Sequence, residues 1–329
     1  MKKILLTGGC GFIGRVLVKK LINEGYLVIN IDKITYASKK SKLVINNKNY
    51  FFFKKDIIEK TFIKKILKKY KPDYLINVAA ESHVDNSITD SRKFIQTNIH
   101  GTANLLDCAR EYLKEFPLKK KSFIFFQIST DEVYGDISKG CTSKESDNLN
   151  PSSPYSSSKA AADLLVTAWS RTYGINYLIS RSSNNYGPYQ YPEKFIPVIL
   201  NSILKKKIIP VYGTGKQKRE WIYVEDNVDA IISILEKGKK NSIYNIGTGK
   251  HKSNLDLVKE ICKIYDNINN NNNSKKLIKF VKDRLGHDKR YALNIQKIKK
   301  ELKWKPKIKF NQGLKKTIIW YLKNKNFLK

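Results

Sequence analysis

KKILLTGGCGFIGRVLVKKLINEGYLVINID, residues 2–32, decides the architecture of this chain. KKILLTG (2–8) is a short β run that ends in glycine. FIGRVLVKKLINEG (12–25) has apolar residues at helical spacing and stops at Gly25, and YLVINID (26–32) is a second β run. A strand, tight turn, helix and strand of this length form the unit that builds a parallel sheet. Between the first strand and the helix, Gly8, Gly11 and Gly14 stand in G-x-x-G-x-x-G spacing. There, glycines let the backbone turn tightly and approach a pyrophosphate, which rests on the helix N-terminus. Asp32 ends the second strand, where a carboxylate accepts hydrogen bonds from both adenosine ribose hydroxyls and repels a 2′-phosphate. The pattern predicts NAD as cofactor rather than NADP, although Lys33, the next residue, weakens that discrimination.

The alternation continues outward. YFFFKKD (50–56), DYLINVAA (73–80), SFIFFQIS (122–129) and INYLISR (175–181) read as strands. TFIKKILKKY (61–70), FIQTNIHGTANLLDCAREYL (94–113) and SSSKAAADLLVTAWSRTYG (156–174) read as helices. At least six strands alternating with helices predict an α/β, Rossmann-like, doubly wound parallel sheet. The cofactor domain is expected over 1–181. After Arg181 the rhythm breaks at SSNNYGPYQYPEKFIP (182–197), which suits an ordered loop crossing to a smaller C-terminal substrate-binding lobe, 182–329. Part of 220–248 is expected to rejoin the first domain, with the cleft between the lobes. The asparagine-rich stretch 267–274 reads as a mobile surface loop.

Composition narrows the partners. The chain has 329 residues, 41% of them hydrophobic, enough for a large core. No apolar run approaches the ~20 residues that span a bilayer. MKKILLTGG is too short in apolar residues for a signal peptide, so the cytoplasm is the expected location and no membrane is involved. The four cysteines are scattered with no C-x-x-C pair, which indicates neither a disulfide framework nor a metal site. The formal net charge is +34, but 55 of the 63 basic residues are lysine and only 8 are arginine. Lysine, asparagine and isoleucine are abundant together, as an AT-rich genome would supply them. A nucleic-acid reader would use more arginine, whose fork pairs with phosphates and guanine edges. Nucleic acid is therefore not the expected partner, and the field instead favours arrival of a phosphorylated substrate.

Two further stretches carry chemistry. PYSSSKAAAD (154–163) holds Tyr155 and Lys159 at i and i+4, on one helix face. A lysine ammonium near a phenol is expected to lower the phenol's pKa and make it a usable base. STDEVYGD (129–136) puts Asp131 and Glu132 side by side at the end of a buried strand. Adjacent strand residues face opposite ways, so the chain must leave the strand at Ser129 and curl if both acids serve one substrate. A turn or short helix is predicted there.

With these features in place, the whole chain resembles the extended short-chain dehydrogenase/reductase superfamily. DKITYA (32–37), AAESHVDNSI (79–88), STDEVYGD, PSSPYSSSKAAAD (151–163), SNNYGPYQYPEKFIP (183–197), REWIYVEDN (219–227), YNIG (244–247) and DRLGHDKRYALN (283–294) narrow the resemblance to the sugar-nucleotide 4,6-dehydratases. The resemblance implies a lyase with tightly bound NAD that acts on dTDP-glucose in deoxysugar (rhamnose-type) nucleotide biosynthesis. UDP-glucose, or an epimerase or decarboxylase reaction, stands as the alternative. A more distant one is an inactive NAD-binding scaffold with nucleic-acid affinity.

Epimerases of the superfamily carry small hydroxyl or alanine residues where this chain has Asp131-Glu132. The resemblance makes Glu132 the base at C5 and Asp131 the acid at O6. Asp131 is expected to have a raised pKa from burial and its neighbour. Thr130 would orient the C4 oxygen beside Tyr155. The resemblance also assigns cofactor contacts to Phe12, Ile13, Lys33, Thr35, Asp56 and Ile57. It adds Ala79, Ser82, Thr97, Tyr155, Lys159 and Asn185. Ser82, His83, Asn184, Glu193 and Lys194 fall to the sugar and pyrophosphate, with Arg219 as the phosphate clamp. Asn254, Arg284 and His287 join the nucleotide diphosphate side, and Pro210 and Tyr212 flank the pyrimidine. Leu285 replaces the family's usual proline in the last motif. Relatives imply a homodimer that packs two helices of each NAD domain into a four-helix bundle.

Overall fold

In a parallel sheet covered on both faces, strands are apolar along their whole length. Seven strands here meet that condition to different degrees. In the computed structural model, which describes residues 1–39, 43, 45–270 and 272–328, they are joined in one sheet. The strands are β1 (Lys3–Thr7), β2 (Leu27–Ile31), β3 (Tyr50–Phe53), β4 (Tyr74–Asn77), β5 (Ile124–Thr130), β6 (Tyr177–Ser182), β7 (Asn184–Tyr186), β8 (Ile209–Tyr212), β9 (Lys218–Tyr223), β10 (Ser242–Ile246), β11 (His251–Ser253) and β12 (Ile278–Val281). The large sheet has the order β3-β2-β1-β4-β5-β6-β10, all parallel. Two smaller sheets, β11-β9-β7 and β12-β8, lie in the C-terminal part.

The helices are α1 (Phe12–Asn23), α2 (Tyr36–Lys39), α3 (Lys60–Tyr70), α4 (Val84–Thr89), α5 (Arg92–Phe94), α6 (Gly101–Glu115), α7 (Pro154–Tyr173), α8 (Phe195–Leu204), α9 (Val224–Lys237), α10 (Asn254–Asn269), α11 (Gln296–Leu302) and α12 (Phe310–Lys323). Strand alternation divides the core. Ile4, Leu6 and Phe126 pack with Leu17 and Val18 of α1 and Ile231 of α9. Leu5, Leu75 and Phe125 pack with Ile63 of α3 and with Leu105 and Ala109 of α6. A third core joins α8, α10 and α12 to β8 and β9. The Rossmann-like sheet expected from the sequence is therefore present, extended by a seventh strand from beyond Arg181.

Boundaries differ in informative ways. The runs at 50–56 and 73–80 stop pairing at Phe53 and Asn77, because the chain then leaves the sheet to line a cavity. The helix expected over 94–113 begins with α5 and contains a π segment, Ile95–His100, ahead of α6. The helix expected from Ser156 starts at Pro154, where Ser153 and Ser156 form a reciprocal capping box. Of the loop expected at 267–274, residues 267–269 instead end α10 and Ser274 opens a 3-10 turn, while Asn270, Asn272 and Asn273 are in neither helix nor strand. α10 runs to Asn269, Asn270 caps it with φ +49°, and Asp266 accepts hydrogen bonds from the Ser274 N–H (3.3 Å) and hydroxyl (2.5 Å). Asn271 lies outside the described residues. Among the described residues no helix is long and apolar enough to cross a membrane.

Asp226, buried in the first turn of α9, accepts from the backbone N–H of Lys307 (3.0 Å) and Ile308 (2.9 Å) and so fastens the segment that leads into α12. Asp226→Ala removes both acceptors and leaves two amides without them. It should lower unfolding stability by about 1–3 kcal/mol, read as a reduced denaturant midpoint with an unchanged slope.

Candidate active site

β1 ends where β2 and β4 flank it, and the chain turns at once into α1. Gly8 has φ +72°, and a Cβ there would stand 2.6 Å from the Ala79 nitrogen. A Cβ on Gly14 would stand 2.1 Å from the Gly8 carbonyl oxygen. Gly11 is the N-cap of α1. The turn thus presents bare backbone to a cavity lined by Gly8, Gly11, Phe12, Ile13 and Gly14 on one side. Asp32, Lys33, Thr35, Asp56, Ile57, Ala79, Ser82, Thr97, Tyr155 and Lys159 complete the walls that the sequence assigned. A dinucleotide fits this cradle, because no side chain intrudes where a pyrophosphate meets the helix N-terminus.

Asp32 accepts from the N–H of Cys10 (2.9 Å) and Ile34 (2.8 Å), and these bonds oppose the upward push of burial on its pKa. Lys33 does not stand free to welcome a 2′-phosphate. Its Nζ donates to Thr97 Oγ1 at 3.0 Å and lies 3.6 Å from both Asp56 and Glu81. Thr97 sits in the π segment, a feature frequent at functional sites. Asn185, assigned to the cofactor, lines a second cavity instead, with its Nδ2 donating to Ser182 Oγ and Ser183 O.

β5 continues one residue past Ser129, and Asp131–Tyr134 then forms a 3-10 turn. The predicted curl is therefore present. The Thr130 hydroxyl caps it by accepting from Glu132 N–H (3.2 Å), donates to Asp131 Oδ1 (3.2 Å) and hydrogen-bonds the Tyr155 phenol. Asp131 is buried with Oδ2 lacking a partner, and burial, then the Glu132 charge, holds its carboxyl well above the usual range. Glu132 is also raised by burial, but Arg284, Arg219 and Lys194 pull it back. Glu132 lines the second cavity, and Thr130 and Asp131 directly precede it at the start of the turn.

The redox pair differs from expectation. Burial raises the Tyr155 phenol, and the Glu132 and Asp131 charges raise it further, against the Thr130 hydrogen bond. The Lys159 Nζ donates to the Ile128 carbonyl at 2.7 Å. Lys159 itself is lowered by burial to about 8, with Asp163 opposing.

The second cavity gathers Ser82, His83, Asn184, Glu193, Lys194, Pro210, Tyr212, Arg219, Asn254, Arg284 and His287. Arg219 lies 4.1 Å over the Tyr291 ring and donates to Asp288 O at 2.8 Å, so its guanidinium is held flat. Arg284 approaches Asp85 at 3.5 Å. Lys194 donates to Ser82 O at 2.5 Å. His83 accepts from Asn86 N–H at 3.2 Å and caps α4. His287 meets Asp283 at 2.6 Å and stands edge-on to Tyr212. Asn254 opens α10, whose N-terminus adds to this cationic wall.

Sequence reasoning missed Tyr36, Glu81, Trp221 and Tyr291, all cavity residues inside the quoted motifs. Tyr36 donates to Glu193 Oε1 at 3.0 Å, between the two cavities. The serines at the start of α7 also serve the site. Ser158 Oγ accepts from Asn98 Nδ2 (2.8 Å) and donates to Tyr155 O (2.7 Å).

A dinucleotide cradle opening onto a Tyr–Lys pair and a cationic second cavity is the arrangement of an extended short-chain dehydrogenase/reductase. The family model described as GDP-mannose 4,6 dehydratase matches residues 5–317. The dTDP-glucose 4,6-dehydratase of Haemophilus influenzae is 48% identical over 98% of this chain and 99% of its own length. That of Escherichia coli is 45% identical over 99% and 95%. The Streptomyces venezuelae dTDP-glucose 4,6-dehydratase structure with NAD and dTDP bound superposes with TM-score 0.90, at 37% identity over 99% and 98% of the two chains. A UDP-glucose 4-epimerase from Thermotoga maritima, 29% identical over 98% and 99%, superposes with TM-score 0.86. The chain belongs to the dTDP-glucose 4,6-dehydratase family.

Gly14→Ala forces backbone apart inside the cradle. Purified protein should lose the absorbance of co-purifying NAD while its far-ultraviolet circular dichroism remains that of the parent.

Proposed function

We propose that this protein is an NAD-dependent lyase that converts dTDP-glucose to dTDP-4-keto-6-deoxyglucose and water. The observation that carries the reading is the unequal setting of two adjacent carboxyls. Asp131 is walled in beside a second acid, while Glu132 faces three cations. Environments that push two acids apart fit one to donate a proton and the other to accept one.

Gly8, Gly11, Gly14 and Asp32 hold the cofactor, with Tyr155 and Lys159 at its reactive end. Bound NAD supplies a reversible hydride acceptor, so that C4 is oxidised first and C6 is reduced last with no net consumption. Tyr155 takes the proton from O4, and Thr130 orients that oxygen through its bond to the phenol. The resulting C4 ketone acidifies the C5 proton, which Glu132 removes. Asp131 protonates O6 as it departs as water. C5 regains a proton from Glu132 in the final step. Arg219, Arg284 and Lys194 neutralise the diphosphate, and the start of α10 adds partial positive charge. Residues 1–181, joined by part of 220–248, serve the cofactor, and 182–329 mainly the sugar nucleotide.

UDP-glucose is the second reading, since the two bases differ by one methyl. Incubation with each nucleotide sugar separately, with the 4-keto product read in alkali, decides between them. Glu132→Gln should lower product formation by at least ~100-fold while oxidation at C4 persists as reduced-cofactor absorbance. Loss of both signals together would count against Glu132 as the C5 base.

We also infer a cytoplasmic homodimer. The four cysteines are free, which suits a reducing compartment. Leu164 on α7 is 59% exposed, and on the same helix the Trp169 indole donates to Asp107 of α6, so the paired helices leave an apolar residue outward. Leu164→Asp should move the protein towards half its mass in light scattering after gel filtration. An unchanged mass would remove this face from consideration.

A further inference from the structure

Arg181 stands on β6 opposite Ser129 of β5 and is 3% exposed. Its Nε donates to Asp163 Oδ2 at 2.9 Å, and its Nη1 donates to the Tyr134 phenol oxygen at 2.9 Å. These partners belong to two different parts of the machinery. Asp163 lies on α7 four residues beyond Lys159, hence one turn away on the same face. Tyr134 closes the 3-10 turn that begins with Asp131 and Glu132. Tyr134 in turn donates to Asn245 Oδ1 at 2.9 Å on β10, and Asn245 Nδ2 donates to the Ser143 carbonyl at 2.9 Å. One guanidinium thus joins the helix of the redox pair to the turn of the acid pair.

Stability is a weak reason for this arrangement. The Asp163 and Arg181 side chains are 1% and 4% exposed, and a buried ion pair rarely outperforms apolar residues of the same volume. Tyr134, Asp163 and Arg181 are not among the residues that line either cavity. We propose that Asp163, Arg181 and Tyr134 form a positioning tie that fixes Lys159 and the Asp131-Glu132 turn relative to each other. Oxidation at C4 and elimination across C5 and C6 then act on one pose of the sugar. The inference rests on the dehydratase reading above.

The tie also has an electrostatic consequence. Asp163 faces Lys159 from its own helix, and Arg181 reaches Asp163 from β6. Asp163 is the group whose charge supports the Lys159 ammonium against burial. Removing that charge lowers the Lys159 pKa, and the ammonium is then lost at a lower pH as pH rises.

The test uses the holoenzyme with two variants. In Asp163→Asn, the ratio of kcat at alkaline to kcat at mildly acidic pH should fall about tenfold for each unit by which Lys159 drops. In protein labelled with 13C at lysine Cε, the Lys159 resonance, identified by its loss in Lys159→Met, should titrate near 8 in the parent and lower in Asp163→Asn. Tyr134→Phe keeps the ring and loses one bond. In a single turnover it should slow 4-keto product formation about tenfold more than C4 oxidation, with a thermal midpoint close to the parent's. Equal losses at both pH values with an unmoved Lys159 titration overturn the inference, as do equal losses of the two steps in Tyr134→Phe. If the parent enzyme turns over no nucleotide sugar, the functional reading fails, and the Lys159 titration in Asp163→Asn alone decides the tie.

Discussion

Asn77 holds the floor on which the site is built. At the end of β4 its Oδ1 accepts from the Thr7 hydroxyl of β1 at 2.7 Å, and its Nδ2 donates to Gln127 of β5 (2.9 Å) and Thr102 of α6 (3.1 Å). All four side chains are buried, so each bond forms without competition from water. β1 and β4 are the strands between which the order of the sheet reverses, and that reversal opens a crevice at their C-terminal ends. The amide row ties β1, β4 and β5 at the level where β1 and β4 stop, while β5 runs on from Gln127 to Thr130. The glycine turn follows β1, Ala79 and Ser82 follow β4, and the acid turn follows β5. Their mutual placement therefore leans on one buried amide that reaches the two neighbouring strands and a helix at once.

Above that floor, low polarity sets the chemistry. Asp131, Glu132, Tyr155, Lys159 and Asp163 are all desolvated, and burial is the largest influence on each. Burial favours the neutral form of every group, so it raises the acids and the phenol and lowers the amine. What distinguishes the five is their neighbours. Three cations face Glu132, two acids, Glu132 and Glu220, bear on Asp131 against Arg219, and a carboxylate one helical turn away steadies Lys159. The expected effect of lysine on tyrosine was drawn from their spacing alone, and spacing does not reveal that the Lys159 ammonium is committed to the Ile128 carbonyl. The nicotinamide of NAD carries a positive charge, which would draw the phenol's pKa down against burial.

What could be read from the chain and what could not follow the same division. Strand–helix alternation, the glycine spacing and the need for a turn after Ser129 are local properties of sequence, and they correspond to observed elements. Strand ends were overcalled at 50–56 and 73–80 because apolar composition continues past the last paired residue. The asparagine-rich stretch looked like a loop by composition, yet Asp266 and Ser274 close it by a tertiary bond. Tyr36, Glu81 and Tyr291 were invisible as cavity residues because nothing local marks which face of a loop turns inward. Arg181 lay in the expected last strand and drew no attention, since its two partners come from 18 residues before it and from another element altogether.

The contrast between lysine and arginine clarifies the net charge. Arg15, Arg181 and Arg219 are among the buried residues, while Lys159 is the lysine in that class among the described residues. Each buried arginine has a partner that needs a plane or a fork. Arg15 lies 3.8 Å over Tyr189, Arg219 lies 4.1 Å over Tyr291, and Arg181 reaches two acceptors at once. An ammonium is a compact, strongly hydrated charge that can neither stack flat nor span two such acceptors in fixed geometry. A drift of composition towards lysine is therefore free to act on solvated positions and is stopped where shape matters. The excess positive charge then describes the outer surface, and the three buried arginines mark places where the interior holds a planar cation.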